Sequence, residues 1–105
     1  MQEPKLARTH LIDGIYQGEV NQSYQRDGFG ILLTQDFEAY IGFFKYNKPH
    51  GLGLIIYSDG SVIYGFFKGG SLEGIGLTDN GHQLQIGTLK DEKVAGVGYE
   101  YNYQG

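Results

Sequence analysis

Gly-x-Gly occurs four times in this chain, at Gly28/Gly30, Gly51/Gly53, Gly74/Gly76 and Gly96/Gly98, so the intervals are 23, 23 and 22 residues. A second series, Gly18, Gly42, Gly65 and Gly87, precedes these pairs by 10, 9, 9 and 9 residues. Two glycine series locked to one period define a repeat unit. Asp59-Gly60 and Asn80-Gly81 fall between units and have the chemistry of tight hairpin turns, which need positive φ angles. A helical array is excluded, because each interior glycine would cost about 1 kcal/mol. The pattern predicts hairpin after hairpin, with units at 16–39, 40–62, 63–84 and 85–105. Residues 14–105 form the array, and 1–13 form an N-terminal extension that is either a partial repeat or a partner-docking segment.

Eighteen glycines stand beside nine tyrosines and six phenylalanines. Because side chains alternate along a strand, Tyr40, Gly42 and Phe44 share one face, and Gly51, Gly53, Ile55 and Tyr57 share it on the next strand. The glycines are expected to make room for aromatic rings lying flat over neighbouring Cα atoms. A nucleotide loop would need a third glycine three residues on, where the chain has Leu33, Ile56, Asp79 and Tyr101. The opposite face is apolar too, with Phe29, Ile31, Phe43, Leu52, Tyr64 and Phe66. A single-layer sheet in water has one wet face, so two apolar faces predict that another molecule covers one of them. The alternative is that the N-terminal segment folds back, but thirteen residues are too few to cover four hairpins.

The second unit, YIGFFKYNKPHGLGLIIYSDGSV, resembles the MORN repeat, with its Tyr-x-Gly-x-Trp/Phe opening, Gly-x-Gly and glycine-closed turn. The resemblance extends over about 90 residues and weakens outward. The leading tyrosine becomes Ile63 and Gln85 in the third and fourth units, and the following aromatic becomes Val20 and Leu89 in the first and fourth. It implies an all-β fold: a single-layer, elongated, twisted antiparallel sheet of consecutive hairpins. It also implies a role in scaffolding, with family settings that include ciliary and cytoskeletal assemblies, membrane junctions and attachment to enzyme domains.

At 105 residues the chain forms one small domain, burying only about 60 to 65% of its unfolded surface. It has no cysteine, so neither disulfides nor thiolate metal sites add stability, and a reducing compartment such as the cytoplasm is expected. Twelve acidic against eight basic residues give a net charge of −4, which argues against nucleic acid and anionic lipid as partners. No apolar run has the length of a membrane-spanning helix or a signal segment.

No constellation for catalysis, metal or cofactor binding is legible. His10, His50 and His82 lie in separate segments without a second ligand at matching spacing. Asp91, Glu92, Lys45 and Lys48 read as solvated loop charges. Asn21-Gln22-Ser23 matches a glycosylation acceptor without a secretory context.

The expected function is therefore that of a non-catalytic scaffold or assembly subunit in a hetero-complex. A partner helix or extended segment would lie in an aromatic groove of Tyr16, Tyr40, Phe44, Tyr57 and Phe67, with a second contact on the back face at Phe29, Phe43, Tyr64 and Phe66. The unpaired strand edges would add either a partner's strand or more of the array. The alternatives are a phospholipid-binding or membrane-tethering module, and a targeting domain of a larger enzyme.

Overall fold

The computed structural model describes residues 5–11, 14–36, 38–90 and 93–104. Asp91 and Glu92, given a loop role above, lie outside them. Nine strands form one sheet: β1 (Lys5–Leu11), β2 (Gly14–Val20), β3 (Arg26–Thr34), β4 (Ala39–Lys45), β5 (Lys48–Ile56), β6 (Val62–Lys68), β7 (Ser71–Asp79), β8 (Gln83–Lys90) and β9 (Lys93–Asn102). Each pairs antiparallel with its chain neighbours, in the order β1 to β9. The molecule is elongated, 47 × 27 × 21 Å. Residues 5–11 lie in the plane of the sheet as its first edge strand, with Ala7 opposite Gly18 and Leu11 opposite Gly14.

The register places the two glycine series in a single row. Gly18, Gly30, Gly42, Gly53, Gly65, Gly76, Gly87 and Gly98 stand opposite one another in succession across β2 to β9. A row without Cβ atoms leaves a furrow, and large side chains from both sides lean into it. A Cβ on Gly30 would stand 2.6 Å from Tyr16 Cζ, and one on Gly53 would stand 2.6 Å from Tyr40 Cε2. The tyrosine hydroxyls finish the arrangement by donating to backbone carbonyls three residues on, Tyr16 to Glu19 at 2.6 Å and Tyr40 to Phe43 at 2.7 Å.

The buried core follows from this row. It consists of Tyr16, Val20, Tyr40, Phe44, Ile63, Phe67 and Leu89, which are the residues two before and two after the leading glycine of each unit. Only Gln85, at the remaining such position, breaks the set. Where Ile63 replaces tyrosine, leucines fill the furrow: Leu72 Cδ2 of the same unit lies 2.8 Å from a Cβ on Gly65, and Leu89 Cγ of the next unit lies 3.1 Å from one on Gly76.

Gly51, the first glycine of its Gly-x-Gly, has a different reason from Gly53. The register shifts just beyond the leading glycines in the β2–β3, β4–β5, β6–β7 and β8–β9 pairs, so the trailing strand bulges there. Gly51 lies in such a bulge at φ 97°, with no atom closer than 3.5 Å to its would-be Cβ. It is needed for backbone sign and not for space, which corrects the single packing explanation given to both glycines.

The turns also differ from expectation. Two-residue turns with positive φ at both positions occur at Tyr46-Asn47 (49° and 68°) and Gly69-Gly70 (59° and 90°). In the Asp59-Gly60 and Asn80-Gly81 connections only the glycine is positive. There Asp59 Oδ1 accepts from the Ser61 N–H at 2.8 Å, and Asn80 Oδ1 accepts from the His82 N–H at 2.9 Å, so side chains close the loop.

A recurring staple joins successive units. The Asn47 N–H donates to the Arg26 carbonyl at 3.1 Å, and the Gly70 N–H donates to the equivalent Pro49 carbonyl at 3.0 Å. Asn47 adds its side chain, whose Oδ1 accepts from the Arg26 N–H at 2.8 Å. At the other end of the array the Tyr103 hydroxyl donates to Asp79 Oδ2 at 2.6 Å. That bond holds the Asp79 carboxyl below its ordinary range and pushes the Tyr103 hydroxyl up.

Candidate interaction surface

The glycine-row face is closed by its own side chains. Tyr40 meets Phe44 edge-on with ring centres 4.8 Å apart and meets Phe67 at 5.2 Å, while Tyr16 meets Phe44 at 5.3 Å. The Arg26 guanidinium lies over Tyr16 and Phe44, and its Nη2 donates to the Asn47 carbonyl at 2.9 Å. Burial pushes the Tyr16 and Tyr40 hydroxyls up to about 12. Tyr16, Tyr40, Phe44 and Phe67 therefore form the interior of the repeat and do not line an open groove, and Tyr57 is half-buried. The physical reason is that each ring contacts rings one unit away, so the array fills its own furrow. Toward β9 this face turns polar, with Thr78, Gln85 and Glu100 in the tyrosine row.

The back face is open. Phe29, Phe43, Tyr64 and Phe66 are 46, 45, 46 and 55% exposed. Register sets Ile31, Ile41, Leu54, Tyr64, Leu77, Ile86 and Tyr99 in one unbroken row across β3 to β9. Beside it, at the bulges, two shallow hollows of about 480 and 690 Å³ share His50, Gly51, Leu52 and Phe66 and so form one trough across the strands. A third hollow of about 1020 Å³ lies over β1 to β3, between Leu6, Arg8, Glu19 and Phe29. The apolar row continues to Tyr99 and Tyr101, 82 and 62% exposed, which the sequence reading did not single out. Their alternate spacing in the last strand was the available signal.

Charge is sorted between the two long edges of the sheet. Among the described residues every Lys and Arg except Arg8 sits at or beside the edge carrying the β2–β3, β4–β5, β6–β7 and β8–β9 connections. By register Lys45, Lys48, Lys68 and Lys90 belong to the back face there. Glu19, Asp27 and Glu73 lie slightly inboard of the same edge. The opposite edge carries Asp36, Glu38, Asp59 and Asp79 and, among the described residues, no Lys or Arg. The basic residues, which look scattered along the chain, are thus gathered by the fold. Their signal was periodic: Lys45, Lys68 and Lys90 recur at the repeat interval.

His10, His50 and His82 remain apart, on β1, on β5 and in the β7–β8 turn. Among the described residues no group of three or more His, Asp or Glu comes together in a way that could hold a metal ion. None of their helices could cross a membrane, since they contain no helix.

A sheet built only from consecutive hairpins, in phase and open at both edges, defines a repeat protein of the solenoid-like class. The MORN repeat family matches residues 40–62. The antiparallel sheet of consecutive hairpins around that segment is consistent with MORN repeats along the array. A search of curated proteins found no match to the chain.

Proposed function

We propose that this chain is a non-catalytic assembly module that joins protein to protein through its apolar back face, with the strand edges as secondary contacts. The observation that carries this reading is the unbroken apolar row from Ile31 to Tyr99, uncharged along its length and bordered by charge at both long edges. An apolar centre with a polar rim is the composition of a protein interface. The groove assigned to Tyr16, Tyr40, Phe44 and Phe67 is withdrawn from the binding role, since those side chains are already buried against one another. The setting proposed is the cytoplasm, in a structural complex of cytoskeletal or ciliary type.

Photo-crosslinking tests the reading. A photoreactive residue at Phe66 should form protein adducts in cells, and one at Thr78, on the polar part of the glycine-row face, should not. Adducts at Thr78 with none at Phe66 would sink it.

A second reading, a membrane-tethering module, draws support from the basic edge beside exposed aromatic side chains. Each Lys near an anionic leaflet contributes about 1 kcal/mol, but Asp27 and Glu73 share that edge. Sedimentation with phosphatidylserine vesicles at physiological salt decides, and cosedimentation there would promote this reading over the first.

A further inference from the structure

We propose that the back face is covered by a second copy of this chain, the two sheets packing face to face about a two-fold axis that runs across the strands. The inference rests on the back face being a protein-docking surface and names its occupant.

Area is the first argument. Nine apolar side chains of this face between β3 and β8 are 38 to 73% exposed. At about 90 Å² each they offer roughly 800 Å², which is one side of a standard stable interface. Two such faces can stack at about 10 Å with strand directions nearly aligned, as sheets in sandwiches do. The hairpin repeat, about 9.6 Å from two strand spacings, is the same in both copies, so the knobs of one can fall between those of the other.

Charge selects the axis. A two-fold axis along the strands would lay the basic edge of one copy over the basic edge of the other. An axis across the strands instead lays basic edge over acidic edge and keeps strand order, so each column of one sheet faces the same column of the other. Lys45 on β4 then faces the partner copy's β3–β4 connection with Asp36, and Lys68 on β6 faces the β5–β6 connection with Asp59. Lys90 on β8 likewise faces the end of β7 with Asp79. Two-fold symmetry doubles every pair, which makes the interface self-complementary. A heterologous partner would have no reason to match the sorting of charge between the edges.

Sedimentation of the full chain tests this. The wild type should be a dimer at about 100 μM, and Phe43→Asp with Phe66→Asp should be a monomer that keeps its β-sheet circular dichroism. Lys45→Glu/Lys68→Glu should weaken self-association by about tenfold or more, and so should Asp36→Lys/Asp59→Lys, because like charges now face each other. Mixed together, the two charge variants should associate as tightly as the wild type, since every opposed pair is restored. Asp59 closes its turn, so the melting temperature of each variant alone serves as the folding control.

A wild-type chain that stays monomeric at that concentration overturns the proposal. So does a mixture that fails to associate, or a dimer that survives Phe43→Asp/Phe66→Asp. A monomer whose Phe66 still crosslinks to a different protein overturns the second copy while sparing the docking face; a monomer without Phe66 adducts overturns both.

Discussion

The ring of Tyr40 lies across the backbone of Gly53, so that a Cβ added to Gly53 would stand 2.6 Å from Tyr40 Cε2. The pair is one link in the row of glycines that lets each hairpin bury a tyrosine against its own backbone. Gly53→Ala should destabilise the sheet by about 1 to 3 kcal/mol through overpacking. The cost should shrink in a Tyr40→Ala background, a coupling of at least about 0.5 kcal/mol. Urea unfolding of the four chains measures it, and strict additivity would show that the ring does not set the requirement for glycine.

Gly51 should respond differently. Its φ of 97° is costly for any residue with a Cβ, so Gly51→Ala should lose about 1 to 2 kcal/mol. That loss should be unaffected by Tyr40→Ala, because no ring occupies the space. The same urea series separates the two glycines of one Gly-x-Gly.

Alkaline pH should loosen the array. Tyr16 and Tyr40 ionise at about 12 in the fold, raised by burial, and at about 10 in the unfolded chain. Their contribution is complete below about pH 10 and is lost as pH rises from there through 12, since the unfolded state releases its protons first. The melting temperature should fall across that window. Tyr16→Phe should be less stable at neutral pH by about 1 kcal/mol, through loss of the bond to Glu19, and should show a shallower alkaline fall.

Asn47 meets two demands at once, a φ of 68° and an acceptor for the Arg26 N–H. Asn47→Gly keeps the first and loses the second, at about 1 kcal/mol. Asn47→Ala loses both and should cost about 1 to 2 kcal/mol more. Equal costs for the two variants, read from thermal melts, would show that backbone sign does not matter at this turn.

Gln85 is the one departure from the buried set, with Gly87 and Gly98 still opposite each other beside it. Gln85→Tyr should lay a ring over Gly98, bring its hydroxyl toward the Thr88 carbonyl as Tyr40 does with Phe43, and raise stability by about 1 to 2 kcal/mol. A lower melting temperature would mean that Glu100, opposite Gln85, does not yield the space.

The glycine periods, Tyr40 with Gly42 and Phe44, and the strand alternation determined the hairpin order, the strand phase and which residues share a face, because all three are properties of local sequence spacing. The apolar character of both faces was equally legible. Only the tertiary structure decided which face is open. Tyr40 is buried by Phe44 on its own strand and by Phe67 one unit later, and whether those rings close the furrow depends on how neighbouring hairpins meet, which alternation does not specify. The sorting of lysines and acids to opposite edges is likewise a product of stacking every unit in phase: a charge at a strand end is unremarkable alone and becomes an edge only when the sheet repeats it.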